Sequence, residues 1–303
     1  MGSGPFLMDF KGIALYLGLS FLLIFVLTFV LLAEGALAFQ SPNAFQYLAQ
    51  VLLMGIPALA ALAAGFMVPS AETSPPAKLW PVSRVAALRV LLMPLAVFAL
   101  SYAVATLLGL TYPQWNLAGL LNEVEAVSTE PLAPNVRALA PGIIFVTYPL
   151  VSIGLGATLF ALIALGSEFG WRGYLLPRLM PLGALPAHLL VGLCWGLWFF
   201  PLLYSWHREL GDYSGLWETQ LRAIALCMVL SLVLGTIKRR TEHLGLCALA
   251  LGGIAGQACG IWEHLFQQQT PPWTGNLGWI LIGVLLASAA LPGLWSQRAP
   301  ESD

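Results

Sequence analysis

The stretch Ser167-Glu168-Phe169-Gly170-Trp171-Arg172-Gly173-Tyr174-Leu175-Leu176-Pro177-Arg178-Leu179 sets an acid and a base inside otherwise apolar sequence. A charge in a bilayer interior is expensive, so it persists where it has a partner or a task. Glu168 and Arg172 are four residues apart, which places both on one helix face within ion-pair reach. Pairing makes their burial tolerable, and the stretch reads as the interior of a membrane helix.

Composition supports that reading. Of 303 residues, 59% are hydrophobic and only 9% charged, against about 25% charged in an average soluble domain. This is the composition of an integral membrane protein, with membrane lipid as its first partner. The net charge is −1 and the basic residues are scattered, so nucleic acid finds no electrostatic footprint and is not expected as a partner. Cys194, Cys227, Cys247 and Cys259 all fall in apolar runs without Cys-x-x-Cys spacing and read as small buried hydrophobes. No His-Glu-x-x-His, P-loop or dinucleotide fingerprint occurs, so neither a metal nor a cofactor is expected.

Spanning helices need about 20 mostly apolar residues. Eight runs qualify: Ile13 to Leu32, Tyr47 to Val68, Val90 to Leu110, Ile143 to Leu179, Ala187 to Tyr204, Leu221 to Ile237, Leu244 to Phe266 and Leu277 to Leu294. The first precedes Ala36-Leu37-Ala38 but is too long for a signal-peptide core. Threading eight spans puts Lys11, Lys78, Arg84, Arg89, Arg178, Lys238, Arg239, Arg240 and Arg298 on one side. The other side receives Arg137, Arg208 and Arg222 with the acidic loop of Glu123, Glu125 and Glu130. The positive-inside rule then makes both termini cytoplasmic. The expected fold is an all-α polytopic bundle of about eight helices, a single transmembrane domain over 1–303 in a bacterial cytoplasmic membrane.

The fourth run, at roughly 55 Å of helix, is too long for one straight span and is expected to kink near Pro149, Gly154 and Gly156. Thr111 to Pro141 reads as an outward interfacial connection without a core of its own, and Ser70 to Pro81, with Pro75, Pro76 and Pro81, as a short extended cytoplasmic linker.

From Glu168 to Leu179 the sequence resembles the first motif of the CAAX protease and bacteriocin-processing family of glutamate-type intramembrane proteases, Glu-Glu-x-x-x-Arg followed by Gly-Tyr-Leu-Leu-Pro-Arg-Leu. Ser167 stands at the family's first, catalytic Glu. Trp195 to Pro201 fits the second-motif framework with Phe199 at the family's His. In the third motif, Gly253 takes the His position and Gln257 the Asn position. Counted from the inner helix ends, Glu168, Phe199 and Gly253 come out about 15, 18 and 14 Å deep, so the three are expected around one intramembrane cavity.

The resemblance implies a CAAX-protease-like bundle in which an acid and a His activate water and the third motif holds the oxyanion. Glu168 and Arg172 are the retained positions, whereas Ser167, Phe199, Gly253 and Gln257 are family catalytic positions with changed residues. Proton transfer needs an ionisable group and an oxyanion needs aimed donors; only Gln257 still offers a hydrogen bond. Three readings compete: a degenerate member that binds a membrane peptide or protein, an active intramembrane endopeptidase using Glu168, and a subunit of a transport or maturation complex. A serine-nucleophile reading of Ser167 lacks a base at the same depth, because His188, His207, His243 and His264 fall near helix ends.

Three features are expected to be structural. Glu263 with His264, beside Gln267-Gln268-Gln269, and Glu209 with Asp212, beside His207 and Arg208, read as solvated outer groups. Trp206, Trp217, Trp262, Trp273 and Trp279 read as an interfacial belt. Gly252, Gly253, Gly256 and Gly260 let helix backbones approach, within the chain or, alternatively, in a homodimer.

Overall fold

Every regular element of the structure, a computed structural model, is helical, and among the described residues the extended pairing is one isolated bridge between Lys78 and His243. The structure describes residues 9–39, 43–69, 78–79, 83–128, 130–266 and 270–290. The expectations for Pro75, Pro76, Pro81, Gln267 to Gln269, Arg298 and the end of the eighth run lie outside the described residues.

Among the described residues, seven helical segments are long and apolar enough to cross a membrane: Phe10–Ala33, Phe45–Met67, Arg84–Leu107, Pro134–Leu182, Ala184–Leu210, Leu216–Thr241 and Leu244–Leu265. An eighth helix, Trp279–Ala289, is apolar but shorter. The chain divides into two compact units, one of Met1–Ser83, Leu162–Ala248 and Ala289–Asp303, the other of Arg84–Ala161 and Leu249–Ser288.

In the first unit α1 (Phe10–Ala33) is apolar all round, as a helix must be that meets lipid on one side and protein on the other. Its buried residues Gly12, Ile13, Tyr16, Ser20, Ile24 and Thr28 define its inner face, recurring every three to four positions from Ile13 onward. Asp9 caps it, accepting from Gly12 N at 2.9 Å, and also pairs with Arg178 Nε at 3.0 Å. The second span is two helices, α2 (Ala44–Leu53) and α3 (Ile56–Met67), because Pro57 in the first turn of α3 lacks the N–H that would continue α2. α3 packs on α1.

The second unit contains α4 (Arg84–Leu107), α5 (Ala118–Val127), α6 (Pro134–Leu155) and a π-helical turn over Gly156–Phe160. The fourth span therefore starts nine residues before the expected Ile143, since Pro134 sits in the first turn, where its missing N–H costs nothing. The expected connection from Thr111 to Pro141 is largely helical too, with Leu117, Leu120 and Leu121 buried. Helix α6 passes through Pro149 and Gly154, and the irregularity falls at Gly156.

Back in the first unit follow α7 (Ala161–Glu168), a second π-helical turn over Phe169–Leu175, α8 (Leu176–Leu179) and a 3-10 turn over Met180–Leu182. The fifth span is α9 (Ala184–Trp198) and α10 (Phe200–Leu210), interrupted at Phe199 because Pro201 cannot donate back to α9. Next come α11 (Leu216–Thr241), α12 (Leu244–Ala258), α13 (Trp262–Leu265) and α14 (Trp279–Ala289), the last two in the second unit.

Helix association in a membrane relies on close packing, since lipid is as apolar as leucine. Helices α9 and α11 show it most strongly. A Cβ on Gly192 would fall 2.3 Å from Met228 Cα, and one on Gly196 would fall 2.4 Å from Ile224 Cα. In the second unit, a Cβ on Gly252 would lie 2.5 Å from Gly156 O and one on Gly256 2.3 Å from Ser152 O. The glycine stripe of α12 is thus filled from within the chain, by the end of α6 and the π turn after it.

Candidate functional site

Glu168 ends α7, and the π-helical turn begins at the next residue, so one widened turn carries Phe169 to Leu175. Such turns are often found at functional positions. The first-motif pair meets as its spacing requires: Arg172 Nη1 donates to Glu168 Oε1 at 2.7 Å, with both side chains 0% exposed. The guanidinium carbon lies 4.5 Å from the centroid of the Trp195 ring, whose π face attracts the cation and holds its plane.

Lys238, Tyr16, Trp171 and Trp198 complete the surroundings. Lys238 Nζ on α11 donates to the backbone oxygen of Arg172 at 2.8 Å. Tyr16 on α1 meets Trp171 edge-on with ring centroids 5.7 Å apart, and Trp171 meets Trp198 in the same manner at 6.4 Å. Trp198 Nε1 in turn donates to Ser20 O at 3.3 Å. Tyr16 and Lys238 were not singled out from sequence. The only sequence signal for Tyr16 is its place with Ser20 and Thr28 at four-residue steps on α1.

Ser167, the residue before Glu168, is buried. Phe199, half-buried at the break between α9 and α10, rests its ring 5.4 Å from Trp198 and 6.2 Å from Trp195. The first unit thus brings Glu168, Arg172, Trp195 and Phe199 into one connected chain of contacts. Gly253 and Gln257 belong to the second unit. There a Cβ on Gly253 would meet Pro94 Cγ at 3.0 Å, while Gln257 Oε1 accepts from Trp262 Nε1 at 2.9 Å, leaving the Gln257 amide N–H groups as donors.

The histidines stand at other positions, and both ring nitrogens of buried His188 have no hydrogen-bond partner. The His188 ring lies over Gly235, where a Cβ would come within 2.0 Å of its Cε1. His207 is buried, with Nδ1 2.7 Å from Asp212 O and Nε2 3.3 Å from Thr219 Oγ1, whereas Arg208, Glu209 and Asp212 are exposed as expected. His264 Nδ1 lies 3.8 Å from Glu123 Oε2. Trp262 stacks on Tyr102 with centroids 5.6 Å apart. Cys227 and Cys247 are buried as expected, whereas Cys259 is exposed. Among the described residues, no group of three or more His, Cys, Asp or Glu side chains is placed to hold a metal.

Outside the spans, the Arg137 hydrogen bond to Glu125 holds that carboxyl below its ordinary 4.5, and Lys78 does the same for Glu242. The backbone N–H of Ser214 lowers Asp212.

The buried acid thus closes α7, and its base four residues on lies in the π-helical turn that follows. Residues 149–254 match the Rce1-like family, type II CAAX prenyl endopeptidases. The Rce1-like match contains Glu168, Arg172, Phe199 and Gly253, and it stops three residues before Gln257. A search of curated proteins found no match. Over this segment the chain is similar to that family, and its apolar helices are those of a multi-pass membrane protein.

Proposed function

We propose that this Rce1-like protein binds a membrane peptide or protein partner and does not cleave it. The observation that carries the reading is the commitment of Glu168 to Arg172 at 2.7 Å, while Ser167 is a poor base and Phe199, packed on Trp195 and Trp198, cannot take a proton. A carboxylate locked on a guanidinium is a poor base, and no second ionisable group stands at the family's acid or histidine positions. Returning a histidine at residue 253 would have to displace Pro94. On this reading the protein resides in the bacterial cytoplasmic membrane with its more basic loops inside, so reporter fusions at Pro76 and Glu125 report opposite sides.

The active-endopeptidase reading draws on one observation, that Glu168 Oε2 has no hydrogen-bond partner. The deciding assay measures cleavage of a membrane-tethered peptide by the purified protein and by Glu168→Gln. No cleavage by either is expected. Cleavage by the unmodified protein that disappears in folded Glu168→Gln would replace binding with catalysis.

A further inference from the structure

Arg172 uses only Nη1 on Glu168; its Nε and Nη2 are buried and have no hydrogen-bond partner. These two nitrogens form the side edge of the guanidinium, which presents two parallel N–H groups in the spacing of a carboxylate. Trp195 fixes the plane of that fork. Trp171 Nε1 and the Tyr16 hydroxyl are also buried without partners. Donors therefore outnumber acceptors, since the remaining carboxylate oxygen, Glu168 Oε2, is the one acceptor-only atom among them. The charges are unbalanced in the same sense, with Arg172 and Lys238 set against Glu168. Unpaired buried donors are costly, so a set carried by Arg172, its chain neighbour Trp171 and the Tyr16 ring packed on Trp171 points to a ligand that accepts hydrogen bonds and carries negative charge.

We propose that the free Nε/Nη2 edge of Arg172, with Trp171 Nε1 and the Tyr16 hydroxyl nearby, is a binding site for a carboxylate. Two sources carry that group in a membrane: a fatty acid, or the chain terminus of a bound peptide. The peptide source rests on the partner-binding function proposed above; the carboxylate fork does not.

The test uses the full-length protein in micelles and two matched probe pairs. One is fluorescent dodecanoate against its neutral dodecanamide, the other a fluorescent single-span peptide with a free against an amidated C-terminus. At least one carboxylate probe is expected to bind about tenfold tighter than its neutral counterpart, or about 1.4 kcal/mol. Arg172→Lys keeps the charge but loses the fork, and is expected to abolish that preference. Tyr16→Phe removes only a buried unpartnered hydroxyl, so it is expected to leave the melting temperature of the free protein unchanged or raised while weakening the carboxylate probe. Preference for dodecanoate without peptide binding would uphold the site and remove the peptide-binding function. Equal binding within both pairs, or no saturable binding of either carboxylate, overturns the site even if Arg172→Lys fails to fold.

Discussion

Arg172 and Glu168 form an ion pair at 2.7 Å in which neither side chain is exposed. Removing one partner leaves the other charge buried and uncompensated, at about 3 to 5 kcal/mol, whereas replacing both by apolar residues of similar volume is often close to neutral. Arg172→Ala is expected to lose that much stability in denaturant titrations in micelles. The double variant Glu168→Leu with Arg172→Met should recover most of it. Equal losses in the single and double variants would show that the pair itself is not the cause.

The contact of α9 with α11 makes a second prediction. A Cβ at Gly192 would lie 2.3 Å from the backbone carbon of Met228, which cannot rotate away. Gly192→Ala is expected to cost about 1–3 kcal/mol through overpacking. Gly18 on α1 has open space around it, and Gly18→Ala should be neutral or stabilising by up to about 1 kcal/mol through helix propensity. Similar thermal shifts for the two changes would refute the close approach.

Acid should release the tie between α5 and α6. The folded value of Glu125 is depressed below 4.5 by the Arg137 hydrogen bond, with the Arg137 charge and the Leu132 N–H adding to it. A depressed carboxylate contributes stability that is present above its unfolded value and is lost as pH falls through its folded value. The melting-temperature gap between the unmodified protein and Glu125→Gln should therefore be constant above about pH 5 and close at lower pH. A gap that widens on acidification would contradict the assignment.

Sequence alone determined the features that depend on local spacing and on composition. The scarcity of charge implied a membrane protein, the four-residue step from Glu168 to Arg172 implied their pairing, and the motif to Leu179 implied the family that residues 149–254 match. Each follows from residues close together in the chain, or from an average over it.

Tertiary structure decided what depends on remote partners. Helix α6 begins at Pro134 because a proline is harmless in a first turn, and a hydropathy window cannot see that a polar start is already helical. His207 reads as a loop residue until Thr219, twelve positions on, folds back to meet it. Tyr16 and Lys238 lie more than 60 residues from Arg172 and share no motif with it, yet packing of α1 and α11 brings them to the same π-helical turn. Spacing along the chain fixes a helix face; which distant helix covers that face is set by how closely two backbones can approach, and only the assembled fold decides it.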